Sequence, residues 1–425
     1  MSTSSPGRTG LEQPSEGIVW VWLPDATEPV PAGRVDQFGE SLVFRYGERY
    51  LERENRIALY EPELPLRSGE HVPEGRIHGC LLDAGPDSWG QRVIVHRRLG
   101  RGAGDTSDLS PLTYLMAAGS DRIGALDFQA SATEYVPRSA GSASLDELVE
   151  AAQRVQDGVP LSPTLAEALL RGTSIGGARP KALLDDGGRR LIAKFSSTTD
   201  TFPVVQGELI AMRLAKLAGL DVANVELTES MGKHVLLVER FDRPPAGRRR
   251  LMVSALTILG LGENGGRYAS YADLARIIRG RFTSPDATLR ELFSRITFNI
   301  LVSNTDDHAR NQAAFWDGRE LTLTPAYDIC PYPRSGEVEQ VMAIGEDGWR
   351  YSQVAGCVAR AATYHLGRDD AQAIVDEQQS VIETHWEEVC DEAQLTQAQR
   401  EDLWGKQFLN PFALQASHTR VLRGP

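Results

Sequence analysis

Three oxygen-bearing side chains stand at spacings that phosphoryl transfer can use. Asp306 and Asn311 bracket Asp306-Asp307-His308-Ala309-Arg310-Asn311, a D-x-x-x-x-N spacing, and Asp328 follows in Tyr327-Asp328-Ile329. A carboxylate at Asp306 would accept or orient the proton of an attacking hydroxyl, with the Asn311 amide oxygen and Asp328 holding Mg2+. That cation prefers oxygen ligands and keeps several waters, so one amide and one carboxylate suffice alongside ATP phosphates. Between them Asp317-Gly318 separates two apolar runs, 313–316 and 320–323. This hairpin signal would bring Asp328 back beside Asn311.

Other parts lie upstream in a fixed order. A Gly-rich loop runs Thr173-Ser174-Ile175-Gly176-Gly177-Ala178-Arg179-Pro180-Lys181. Backbone N–H groups approach phosphate oxygens only where side chains are absent, the use expected of Gly176 and Gly177. Strand-like runs at 182–184 and 190–195 flank Asp185-Asp186-Gly187-Gly188, and the second carries Lys194, a cation for the α/β-phosphates. A helix expected over 207–218, with Gly219 as its stop, offers Glu208 to hold that lysine. Taken singly, each residue has an ordinary reading. Gly-Gly makes turns, Lys194 fits an edge strand, Glu208 a solvated helix face, and Asp306 and Asp307 a helix-terminal turn. Asp328 fits a surface position, and His308 either a structural role or contact with phosphate. The loop is also no P-loop, since Ala182 follows Lys181. In this order the residues point to an enzyme that uses ATP and Mg2+.

The elements that must position these groups fall into three regions. Residues 1–16, rich in Ser, Gly and Pro without an apolar core, read as a disordered tail rather than a secretory signal. Residues 17–135 carry short β-type runs, including 18–22 and 42–46, and 138–144 read as a linker. Residues 145–245 open with a helix over 145–156, then give the loop, the hairpin, the helix and a strand over 234–241. Residues 246–425 are mostly helical, with Leu289, Leu292, Phe293, Ile296 and Ile300 on one face of a helix ahead of Asp306.

Composition narrows the alternatives. A length of 425 residues exceeds one ordinary core. No segment approaches the roughly 18 apolar residues of a membrane helix. Four scattered cysteines argue against disulfides and thiolate zinc sites and suit a reducing cytoplasm. A net charge of −13 supplies no field for nucleic acid. The basic cluster of Arg240, Arg243 and Arg248 to Arg250 reads first as a solvated loop.

The quoted segments resemble the HipA family, bacterial serine/threonine kinases that act as toxins of type II toxin–antitoxin modules. Ile192-Ala193-Lys194-Phe195, Val238-Glu239-Arg240-Phe241-Asp242-Arg243 and Pro325-Ala326-Tyr327-Asp328-Ile329 carry the likeness with the two loops. The N-terminal part, with Gly90 after Pro86-Asp87-Ser88-Trp89, looks like that family's β-containing subdomain. The resemblance implies an α+β, two-lobed protein-kinase-like fold with a β-rich N-terminal accessory subdomain and a helical C-lobe. It implies Asp306 as base and Asn311 and Asp328 as magnesium ligands. Gly176, Gly177, Ala178, Arg179, Pro180 and Lys181 would wrap the phosphates, and the hinge Glu239, Arg240 and Phe241 would meet the adenine. His308 and Tyr327 fall in nucleotide-contacting segments, and Ser174 matches an autophosphorylated serine. It implies a small helix-turn-helix antitoxin like HipB, with DNA met only through that partner. An aminoacyl-tRNA synthetase is the kind of substrate known members phosphorylate. A small-molecule phosphotransferase and a catalytically inactive regulatory subunit stand as alternatives.

Overall fold

The computed structural model describes residues 13–99, 109–138, 143–170, 172–175, 179–197, 200–262, 264–333 and 338–416. These divide into two compact units, Met1–Asp185 with Asp242–Leu251, and Asp186–Phe241 with Met252–Pro425.

The first unit begins with strands β1 (Glu16–Val21), β2 (Val30–Phe38) and β3 (Ser41–Tyr46). Helices α1 (Ser88–Leu99) and α2 (Pro111–Ala117) follow, then β4 (Leu126–Gln129). Helices α3 (Leu145–Gln156) and α4 (Pro163–Leu170) and strand β5 (Lys181–Asp186) complete it. The β-branched and aromatic run Ile18-Val19-Trp20-Val21 forms the second strand from one edge, in the order β3-β2-β1-β4. Val19 pairs with Gly33 on one side and Phe128 on the other. The expected tail of 1–16 does not hold at Ser15 and Glu16. Ser15 O accepts from Gln37 N and Glu16 opens β1; residues 1–12 lie outside the described set.

Helix α3 covers the span expected from its apolar spacing. Ser144 caps it and Glu147 closes the reciprocal capping box, while Leu148, Val149, Ala152 and Val155 are buried along it. The basic cluster, by contrast, is a solvated loop only in part, with Arg250 exposed. Arg243 is nearly buried and pairs with Asp121 and Asp242, and the Arg249 guanidinium lies 3.5 Å from the centroid of the Trp22 ring. These arginines look like a charge run in sequence because Asp121 and Trp22 lie more than a hundred positions away from them.

The second unit contains β6 (Arg189–Phe195), α5 (Val204–Leu217), β7 (Val225–Ser230) and β8 (Lys233–Glu239). Strand β8 pairs antiparallel with β6 on one side and β7 on the other. Helix α5 starts at Val204, three residues before the expected 207, because Val204 and Val205 continue its buried face. It ends as its sequence implies. Gly219 takes φ +81°, its N–H bonds Lys216 O, and Leu220 N–H bonds Ala215 O, the paired bonds of a Schellman stop.

Strand β9 (Met252–Ser254), helices α6 (Tyr271–Arg281) and α7 (Pro285–Leu301), strands β10 (Ala313–Trp316) and β11 (Leu321–Leu323) and helix α8 (Arg368–Glu392) follow. Strand β10 lies between β11 and β9. The Asp317-Gly318 hairpin forms with a four-residue connection rather than a two-residue turn. Asp317 Oδ1 accepts from the N–H groups of Arg319 and Glu320, so the aspartate side chain organises the loop. Leu289, Leu292, Phe293, Ile296 and Ile300 are all buried on α7, as their spacing required.

Candidate active site

Alternation along β6 buries Leu191, Ala193 and Phe195 on one face and sends Lys194 to the other. There Lys194 Nζ lies 2.5 Å from Glu208 Oε1 and 2.5 Å from Asp328 Oδ1. Glu208 is buried one turn into α5. Burial alone would lower the lysine's affinity for its proton, but Asp328 and Glu208 together outweigh it and hold the ammonium above its ordinary value.

Asp328 adopts φ +60°, a left-handed backbone unusual outside glycine but tolerated by aspartate. Its approach is pinned at several points. Ala326 N–H donates to Asp221 O at 2.7 Å, and Ala326 O accepts from Ala223 N–H at 2.9 Å. The buried Arg295 of α7 donates to Thr324 O at 2.8 Å. Strain at this position is therefore held by the bonds before it.

After α7 the chain turns through Ser303 at φ +56°, and Asn304 N–H bonds back to Asn299 O at 2.8 Å. The next two aspartates differ in environment. Asp306 is exposed, yet partial desolvation and the neighbouring charge of Asp328 hold its carboxyl above the usual range, with His308 acting the other way. Asp307 is 2% exposed. It accepts from the Tyr271 hydroxyl, from Asn299 Nδ2 at 2.8 Å and from Gln312 Nε2 at 3.0 Å. In the sequence this residue fits only a helix-terminal turn, since a second aspartate in a turn carries no signal of burial.

Asn311 N–H closes a turn on His308 O at 2.8 Å, and its Nδ2 reaches toward Asp306 O at 3.5 Å. That orientation assigns Oδ1 as the atom able to face a cation. The donor set of Asn311 and Asp328 is all oxygen, which fits Mg2+. Among the described residues no cluster of three His, Cys, Asp or Glu side chains could hold a metal alone. The pair thus suits a cation that takes its remaining ligands from phosphate and water. His308 is half-buried, and its Nδ1 has no hydrogen-bond partner among the described residues.

At the expected hinge, Glu239 N–H donates to Asn224 O and Arg240 N–H to Arg190 O, both at 2.9 Å. These two amides are used within the protein, so the backbone groups that the expected hinge could offer a base are the Glu239 carbonyl and those of Phe241. Phe241 packs its ring 5.9 Å from Phe315 and 5.7 Å from Tyr327. The Tyr327 hydroxyl donates to Arg310 O at 2.8 Å, tying this aromatic group to the D-x-x-x-x-N loop.

The remaining expected residues belong to the first unit. Gly176, Gly177 and Ala178 lie outside the described residues. Arg179 is half-buried and Pro180 buried. Ser174 is 1% exposed, its hydroxyl oxygen has no partner among the described residues, and its carbonyl accepts from Ile123 N–H at 3.0 Å. Lys181 does not point its ammonium outward toward a phosphate. It is buried against Asp87 at 3.1 Å, while Trp89 Nε1 donates to Lys181 O at 3.0 Å. Nothing in the local sequence revealed that pairing, which spans 94 positions.

The HipA N-terminal domain matches residues 21–129 and the HipA-like C-terminal domain residues 173–386. A putative kinase, Y4mE, of Sinorhizobium fredii is 28% identical over 363 residues, covering 76% of this chain and 82% of that one. The serine/threonine-protein kinase toxin HipA of Shewanella oneidensis is 26% identical over 294 residues, covering 63% and 66%. A solved structure of the Shewanella oneidensis MR-1 toxin–antitoxin system, comprising HipA, HipB and operator DNA, superposes with a TM-score of 0.66 at 21% identity. It covers 90% of this chain and 97% of that one and establishes an α+β kinase-like fold. With the HipA-like C-terminal domain covering half of this chain and the HipA N-terminal domain ahead of it, the chain belongs to the HipA family of kinase toxins.

Proposed function

We propose that this protein is an ATP- and Mg2+-dependent serine/threonine-protein kinase acting as a toxin. The observation that carries the reading is Lys194 held between Glu208 and Asp328, because it joins a phosphate-neutralising cation to a metal-binding carboxylate. Asp306 would take the proton of the attacking hydroxyl, and Asn311 and Asp328 would hold Mg2+ on the nucleotide. When bound, that cation would neutralise charge on the phosphates. Lys194 would meet the α/β-phosphates, and the segment from Gly176 to Lys181 would cover them through its backbone. Phe241 and Tyr327 would supply apolar surface to the base. The domain boundaries proposed are 17–135, 145–245 and 246–425.

Ser174 is the proposed autophosphorylation site. Its buried hydroxyl must leave its present setting to be modified, and a phosphate there would oppose return. The proposed partner is a small HipB-like helix-turn-helix antitoxin, with DNA engaged through it. The Shewanella assembly, described as HipA with HipB and operator DNA, supports that partner. The proposed substrate is a translation component such as an aminoacyl-tRNA synthetase, and the proposed compartment the cytoplasm. Among the described residues no helix is long and apolar enough to cross a membrane.

Quantitative phosphoproteomics on cells expressing the full chain tests this reading. New phosphoserine or phosphothreonine on a defined protein, absent with Asp306→Ala, is expected. A phosphorylated small molecule with an unchanged phosphoproteome would instead favour a small-molecule phosphotransferase.

A further inference from the structure

Asp307 presents a problem that its neighbour's role does not solve. Burying a carboxylate costs several kcal/mol unless its oxygens are satisfied. No ion pair compensates it among the described residues. Three donors converge instead, from three places in the chain. Tyr271 opens α6, Asn299 lies in the last turn of α7, and Gln312 directly follows Asn311. All three are buried. The network continues outward, since Asn304 Nδ2 donates to Asn299 Oδ1 at 3.1 Å and Ala255 N–H donates to Gln312 O at 2.7 Å. Both ends of the 304–312 segment are thereby fastened to one carboxylate. A neutral amide cannot replace it cleanly, because an amide nitrogen would face donors where the carboxylate accepts.

We infer that Asp307 is a positioning residue: by drawing Tyr271, Asn299 and Gln312 onto its buried carboxylate, it fixes the loop so that Asp306 and Asn311 face the nucleotide side. The inference rests on the kinase reading of Asp306 and Asn311. It assigns adjacent aspartates opposite duties, one inward and mechanical, one outward and chemical. A misplacement near 1 Å in such a loop costs about a hundredfold in rate.

Full-length Asp307→Asn and Tyr271→Phe variants test it, the second keeping the ring and removing only the hydroxyl. Three quantities are read: kcat for γ-phosphate transfer, the half-saturating Mg2+ concentration, and amide hydrogen exchange. With Asp307→Asn, kcat falls about a hundredfold and half-saturating Mg2+ rises. Exchange quickens within 304–312, while the core of α7 stays protected. Tyr271→Phe shifts the same quantities less, and decides the matter if Asp307→Asn does not fold. A kcat and Mg2+ requirement within twofold of the unmodified protein in folded variants would overturn the inference, as would exchange that quickens evenly across the second unit. Failure of the unmodified protein to transfer phosphate would count against the kinase reading; exchange within 304–312 would then decide whether Asp307 organises the loop.

Discussion

Lys194 and Asp328, 134 positions apart, meet at 2.5 Å, and Glu208 meets the same ammonium at the same distance. One cation therefore spans a strand, a helix and the residue after a hairpin. Lys194→Met should lower the transfer rate by about a hundredfold or more, since the cation proposed to meet phosphate is lost. It should also destabilise the protein by about 3–5 kcal/mol, because Glu208 would remain buried without its partner. Steady-state kinetics and urea denaturation measure the two effects separately.

A second charged group predicts acid sensitivity in the first unit. Arg122 and Asp127 are both fully buried and meet at 2.8 Å, with Arg138 adding a further contact at 2.9 Å. Burial alone would raise the aspartate, but the two guanidiniums prevail and bring it down to about 2. A depressed carboxylate stabilises the fold fully above its ordinary value near 3.8. That contribution, roughly 2–3 kcal/mol, fades as pH falls from about 4 through about 2. Denaturation midpoints for the natural chain should drop across this window. In Asp127→Asn that component should be missing and stability at neutral pH lower.

Gly90 packs where no side chain fits. A Cβ there would lie 1.8 Å from Thr173 O, a backbone atom that cannot swing aside. Gly90→Ala should destabilise the protein at the upper end of about 1–3 kcal/mol and displace the segment carrying Ser174. Denaturant midpoints and protease cleavage near residue 173 would register both.

Tyr327→Phe removes the hydrogen bond to Arg310 O while leaving the ring beside Phe241. The expected loss is about 1 kcal/mol, seen as a several-fold rise in KM for ATP with little change in thermal midpoint. An unchanged KM would place that bond outside nucleotide binding.

These contacts also show which features were legible in the sequence. Local signals translated directly: the Ser144–Glu147 box starts α3, Gly219 ends α5, and apolar spacing oriented α7. The D-x-x-x-x-N spacing and the later aspartate were visible because both lie within one loop-and-hairpin stretch. Long-range polar partners were not. Lys181 looked like a phosphate ligand, yet its ammonium is buried on Asp87; Arg243 looked solvated, yet it pairs with Asp121. Residue type reports a charge, while burial depends on elements distant in sequence. At Asp307 the donors are nearer, 36, 8 and 5 positions away, yet the residue type gave no sign that Tyr271, Asn299 and Gln312 would enclose it.

The most direct test compares the natural chain with Asp306→Asn, both full length and verified as folded, after incubation with Mg2+ and γ-labelled ATP. The natural chain should acquire label on Ser174, identified by mass spectrometry, and Asp306→Asn should be slower by about 10²–10⁴-fold. Equal labelling of the two proteins would contradict Asp306 as the catalytic base. No transfer by the natural chain, to itself or to any protein, would contradict the kinase assignment itself.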